Sequence, residues 1–288
     1  MRRLVHSMES NSVSFIHTVL SATKKEYGAD CKYLPRWRLV KLVCLAADYL
    51  DDDSINRGWY KHGYYSFITD EILKQLPLRK NLRATKIPKE QVDKELSTKI
   101  IPFLRTNKTN FISEQSTFLH WVHYELPPEE YKEFYKFSDL FLESLKNLSD
   151  TRIQVSKEPY NDIADLISSY YPFLKHVDTD VLDVFSNFVD LFEDMLLTSQ
   201  TRKLALKGMK RIIQNIQEFY YEDIYTGLPP FRQTVIGDEK EEEIGIYSKN
   251  LDNKLKDAIS QIEDTSKILK EKNLSPTIND YRKLYCEN

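Results

Sequence analysis

Arg57 and His62, with four residues between them, stand at the start of GWYKHGYYSFITDEIL (58–73), which holds five aromatic residues, two of the seven glycines and a histidine. An imidazole can take a proton from a ribose 2′-hydroxyl while a guanidinium neutralises charge developing on the phosphate, so this pair is a candidate for metal-independent RNA cleavage. His120 and His123 in HWVHYE stand one helical turn apart and, with Glu125 or His62, outline a metal site. No carboxylate or cysteine completes that set at a diagnostic spacing, so a solvent-facing or hydrogen-bonded pair is the plainer reading. Asp51, Asp52 and Asp53 are a third grouping. Consecutive helical residues point in different directions, which makes the triplet a helix end rather than a cation site.

Motifs with a strong mechanical rationale are absent: no phosphate-cradling glycine loop, no nucleophile elbow, no HExxH, no calcium loop. Neither a cofactor nor a metal is called for. The three cysteines, Cys31, Cys44 and Cys286, form no CxxC pair and no even framework, and Cys44 lies in the apolar run LVKLVCLAADYL as a core residue. No run approaches the roughly 18 apolar residues of a membrane span, and no apolar core follows the basic residues of MRRLVHSMESNS, so a cytoplasmic protein with no membrane partner is expected.

The formal charge of −3 conceals an uneven distribution. Between Lys74 and Lys108 stand Lys74, Arg79, Lys80, Arg83, Lys86, Lys89, Lys94, Lys99, Arg105 and Lys108 against Glu90, Asp93 and Glu95, a net +7. Such a segment can attract phosphate or an acidic surface, and Arg79, Lys80, Arg83, Lys86 and Lys89 are its candidate nucleic-acid contacts. The plain alternative is a solvated loop and helix face.

Few glycines and helical apolar spacing throughout predict an all-α, multi-helix fold with at most a minor strand element. A first helix begins near Ser10 with Val13, Ile16, Val19 and Leu20 on one stripe. A second opens at Pro35 and carries a wide apolar face to the acidic stop at 51–53. A short helix over 67–76 takes Ser66 or Thr69 as its cap and ends at Pro77. Pro88 opens another that Pro102 disturbs or stops, and 113–124 is also helical. Tyr131, Phe134, Tyr135, Phe141, Leu145 and Leu148 then form a long aromatic stripe. The polar segment 149–159 reads as a joint between helical domains at 1–150 and 157–288. Beyond it, helices are expected at 159–171, 180–198, 200–224, 247–271 and 276–286, with an exposed acidic loop at 227–245 that holds a short strand at Arg232–Ile236.

The spacing of Arg57 and His62 resembles the motif of HEPN ribonucleases, which are all-α and place two motifs across a dimer groove. Gly58 stands where that family has a polar residue after the arginine, and Gly58 with Gly63 disfavours a helix here. A second resemblance covers residues 35–76. Lys41, Leu42, Val43, Leu45, Ala46 and Tyr49, followed by Trp59, Tyr60, His62, Gly63, Tyr65 and Ser66, resemble the core of Panacea-type antitoxin domains, with Tyr64 where that family has proline. This resemblance implies a non-catalytic helical module that binds a protein partner, such as a toxin, or serves as an adaptor.

Gly63 permits a low-cost reversal, and the aromatic residues around it cannot all enter one small core from so short a segment, so some of them should be exposed. Trp59, Tyr60, His62, Tyr64 and Tyr65 are therefore the candidate partner-binding residues. The competing expectation is that they seal the joint between neighbouring helices. Nucleic-acid binding through the basic segment and ribonuclease chemistry at Arg57 and His62 remain as alternatives.

Overall fold

The computed structural model describes residues 11–76, 82–88, 91–149, 159–170, 174–175, 177–201 and 210–286. Among them the fold is all-α, with thirteen helices and one two-stranded antiparallel hairpin. The chain forms two compact units, Met1–Pro127 with Phe231–Ser248, and Pro128–Pro230 with Lys249–Asn288. This division differs from the expected one at 149–159, of which 150–158 lie outside the described residues. A polar, aperiodic stretch marks where chain leaves a helix, but it cannot reveal that a later segment returns to an earlier unit.

The first unit is built around α2 (Arg36–Leu50), whose Leu39, Val40, Leu42, Val43, Cys44, Ala46 and Ala47 are wholly buried. Pro35 precedes the helix as its N-cap, with extended backbone. Asp51 ends it in the left-handed conformation at φ +52°, an acid filling a role that glycine usually takes. α1 (Asn11–Tyr27) and α5 (Ile101–Ile112) pack against α2. Arg38, buried in α2, donates from Nη1 to the Phe111 and Ser113 carbonyls at 2.7 Å each. It thereby caps α5, whose last carbonyls have no partner within the helix.

The helix before Pro102 stops as expected, but the proline also opens the next one. α4 (Lys94–Lys99) is capped by the Asp93 carboxylate, and the chain breaks at Ile100 before α5 begins with proline in its first turn. Proline lacks only an N–H that a first turn would leave unpaired, so here it opens a helix. α6 (Gln115–His120) continues into a π-helical turn, Trp121–Glu125.

Residues 231–248 return to this unit as α11 (Phe231–Thr234), the bridge residue Ile236 and the start of α12 (Lys240–Glu271). The expected strand at 232–236 is thus a helical turn followed by one bridge, and the expected acidic loop contributes the first turn of α12. Glutamates are favoured there because the helix dipole is positive at its N-terminus.

In the second unit, α7 (Glu129–Ser149), α8 (Pro159–Tyr170), α9 (Thr179–Thr201) and α10 (Lys210–Phe219) enclose an aromatic core. Phe137 stacks on Tyr170 at 3.8 Å, and Phe141 meets Phe188, Phe192 and Tyr220 edge-on. α10 runs into a second π-helical turn, Tyr220–Ile224, where a helix through 224 was expected, and 202–209 lie outside the described residues. α13 (Ile278–Cys286) lies against α9, with the Tyr281 hydroxyl donating to Asp194 at 2.7 Å.

Candidate functional site

Glycines 58 and 63, with alternating aromatics between and beyond them, fold as a hairpin of β1 (Gly58–Tyr60) and β2 (Gly63–Tyr65). Trp59 faces Tyr64 across the ladder and Tyr60 faces Gly63. Lys61 and His62 make the turn, and Gly63 completes it at φ +87°, a conformation costly for any residue with a Cβ. A Cβ there would also collide with Val122 of the π turn.

Arg57 enters this hairpin at its base and is 2% exposed. Its Nε donates to Asp48 Oδ1 at 2.6 Å, and Nη1 donates to the carbonyls of Asp52 and Ile55 at 2.9 and 2.7 Å. Burial opposes the guanidinium's charge, but the hydrogen bond and charge of Asp48 outweigh it and hold the pKa above the ordinary arginine value. The Tyr64 hydroxyl donates to the same Asp48 oxygen at 3.0 Å. The backbone of Arg57 exchanges both hydrogen bonds with Ile236, at 3.0 and 2.9 Å. This arginine ties α2, the hairpin and the returning segment together.

His62 lies at the opposite end of the hairpin arm. The three strand residues and Lys61 separate it from Arg57, and the strand alone spans about 10 Å at the usual rise. Burial, reinforced by the charges of Lys41 and Lys61, lowers its pKa to about 3. His62 is thus a weak base, and Arg57 is committed to three acceptors. The spacing that would bring both residues to one groove on a helix separates them on a strand.

The aromatic residues expected to be exposed are mostly interior. Trp59, Tyr60 and Tyr64 are 9, 5 and 5% exposed, and Tyr65 and His62 are half-buried. Trp59 stacks on Tyr64 at 4.8 Å, while Tyr60 makes edge contacts with Phe67 at 5.1 Å, Phe231 at 5.9 Å and Tyr247 at 6.1 Å. The small core around the hairpin is enlarged by Phe231 and Tyr247, which the chain supplies about 170 to 190 residues later. The sealing role is the one these rings perform.

Glu243, wholly buried on α12, was not singled out from the sequence. Its carboxylate accepts from the Phe67 and Ile68 backbone N–H groups at the start of α3 (Phe67–Gln75), the latter at 3.2 Å. Ser66 caps the same helix, its hydroxyl accepting from Thr69 N at 3.0 Å. Burial pushes the Glu243 carboxyl up to about 8 against the pull of those two backbone donors. A signal for it was present: Glu243, Tyr247, Leu251 and Leu255 fall on one stripe, so this acid continues the buried face of α12. Lys41 is likewise interior, its Nζ 3.5 Å from the Tyr64 carbonyl and 5.7 Å from the Tyr65 ring centroid, and burial pulls its pKa down to about 8.

The histidine pair and the aspartate triplet do not converge on one site. His120 is exposed, with Nε2 4.0 Å from Glu125, while His123 is half-buried in the π turn and its pKa is lowered by burial to about 4. Asp52 accepts from the backbone N–H of Ser54 at 2.9 Å, and the Asp53 carbonyl accepts from Asp238 N at 2.8 Å. Among the described residues no group of three His, Cys, Asp or Glu side chains is placed to hold a metal ion.

Of the basic segment, Lys74 pairs with Asp70 and Glu71, Lys99 with Glu95, Arg105 with Glu26 and Lys108 with Asp30. Arg83 and Lys86 are exposed, and Arg79, Lys80 and Lys89 lie outside the described residues. No helix among the described residues is long and apolar enough to cross a membrane.

Among the described residues these features define an all-α fold in which a returning segment of the chain covers the hairpin. The model of the domain of unknown function DUF8098 matches residues 67–287, and the chain belongs to that family. No curated protein and no solved structure matches it.

Proposed function

We propose that the chain is a non-catalytic helical interaction module, an adaptor or antitoxin-like protein that binds a protein partner. The observation that carries this reading is the use made of the groups best suited to chemistry. Arg57 is committed to Asp48 and two carbonyls, and His62 is a half-buried base of very low proton affinity. Their arrangement serves to hold a shape.

The partner surface differs from the aromatic one that residues 35–76 suggest. Ile236, 43% exposed, lies beside two acidic tracts that the Arg57–Ile236 bridge and the Asp238–Asp53 hydrogen bond bring together. Asp51, Asp53, Asp238, Glu239 and Glu241 are exposed there. An exposed apolar residue beside two acidic tracts, with Lys240 the cation in them, suits a partner that presents an apolar side chain beside basic groups.

The test is affinity capture from host extract with nuclease treatment in parallel, comparing wild type with Ile236→Asp and with the pair Asp53→Lys and Asp238→Lys. A stoichiometric protein that survives nuclease and is lost from both variants is the expected result. Equal capture by all three would move the interface elsewhere, and the absence of any stoichiometric protein would remove the reading.

A further inference from the structure

The basic segment reaches the surface in a different company from the one its sequence suggests. The Lys24 ammonium of α1 donates to the Thr85 carbonyl at 2.7 Å. Thr85 is buried and flanked by the exposed Arg83 and Lys86. Lys25, next in α1, is exposed as well. The 3-10 turn that follows α1 (Gly28–Tyr33) packs on the 3-10 turn Leu82–Ala84 and carries exposed Lys32 and Tyr33. Neighbouring chain segments thus carry five cations, Lys24, Lys25, Lys32, Arg83 and Lys86, and Tyr33, whose ring is 49% exposed.

The acids of these segments do not offset that charge. Glu26 is held by Arg105 at 2.8 Å and Asp30 by Lys108 at 2.9 Å, so α5 has already neutralised both. Cations in the last turn of a helix are ordinary, because the dipole is negative there. That accounts for Lys24 and Lys25, whereas among the described residues no carboxylate pairs with Lys32, Arg83 or Lys86. Lys32 Nζ stands 4.7 Å from the Tyr33 ring centroid, so charge and an exposed π-face occur together. Cations that follow a phosphate backbone beside a ring on which a base can stack are the recurring features of single-strand binding.

We infer that the face formed by Lys24, Lys25, Lys32, Tyr33, Arg83 and Lys86 binds single-stranded nucleic acid, with the cations on phosphates and Tyr33 stacked on a base. The inference is independent of the protein-partner reading, which concerns the acidic surface at Ile236.

The test measures fluorescence anisotropy of labelled 12-nucleotide RNA and DNA single strands with the full chain between 50 and 200 mM salt. If about five phosphates are engaged, affinity falls about a hundredfold across that range. Replacing Lys32, Arg83 and Lys86 together by alanine flattens the fall to about sevenfold, because about two phosphate contacts remain. Tyr33→Ala weakens binding about tenfold and leaves the salt slope unchanged, whereas Tyr33→Phe binds as wild type does. Lys99→Ala, which alters a cation paired with Glu95 on α4, leaves affinity unaltered. A preference for RNA over DNA would assign the 2′-hydroxyl a contact. No oligonucleotide binding at 50 mM salt, a salt slope unmoved by the triple variant, or binding only to phosphatidylserine vesicles would each overturn the proposal.

Discussion

A buried arginine is tolerable only when its donors are answered, and Arg57 has a carboxylate and two carbonyls. Histidine solves the same problem by shedding its proton, and both half-buried histidines of the first unit do so. Burial lowers His62 to about 3 and His123 to about 4, from an ordinary value near 6.5. As pH falls below 6.5 the unfolded chain takes up these protons before the folded one does. The stability that comes from holding the rings neutral is therefore complete above about pH 6.5 and is lost as pH falls toward the folded values. The expected loss is of the order of 1 kcal/mol per pH unit between pH 6 and pH 4.5, below the two-proton limit because both rings keep some solvent. Urea midpoints of wild type and His62→Gln at pH 7.5, 6.0 and 5.0 would check it. The variant should show the shallower decline, and parallel declines would mean that His62 is not kept neutral by the fold.

The hairpin carries the sharpest requirement at the level of elements. Gly63 needs both a positive φ and the absence of a Cβ, since Val122 occupies the space one would fill. Gly245 in α12 has no atom within 4 Å of an added Cβ. Alanine should consequently act in opposite directions at the two sites. Gly63→Ala is expected to cost about 2 kcal/mol or more through strain and displacement of Val122, while Gly245→Ala gains about 0.5–1 kcal/mol from helix propensity. Thermal unfolding of both variants tests this, and a neutral Gly63→Ala would show that the π turn can move aside. The turn at Gly63, the core place of Cys44 and the cap at Ser66 were all readable from local sequence, because each depends on near neighbours. The burial of Trp59, Tyr60 and Tyr64 was not, because the residues that cover them lie far along the chain. The end of a helix before Pro102 was readable too, since α4 stops at Lys99, but that the same proline opens α5 was not, because a proline that breaks one helix and one that starts the next look alike until the turn at Ile100 is known.

The returning segment decides how the first unit is held together, since that unit is assembled from two stretches of chain. Without residues 231–248, Tyr60 and Phe67 lose Phe231 and Tyr247, Arg57 loses its backbone bridge to Ile236, and α3 loses the Glu243 carboxylate. Burial of Phe231, Val235 and Tyr247 alone is worth about 1.5–3 kcal/mol for each side chain, and the caps and bridge add to it. That sum is comparable with the roughly 5–15 kcal/mol by which a domain is ordinarily stable. The fragment 1–127 is therefore expected to show no cooperative unfolding transition, whereas the same fragment joined to residues 231–248 by a flexible linker should regain one. Circular dichroism during a urea titration reads both. Cooperative unfolding of the fragment alone, at a midpoint near that of the joined form, would mean that α1–α6 make a sufficient core and that the returning segment only covers it. The family match from residue 67 to residue 287 starts just beyond the hairpin and takes in the whole returning segment. Within the matched span, Phe67 and Ile68 at one end receive Glu243 from the other, so that capping contact lies wholly inside the part of the chain that the family shares.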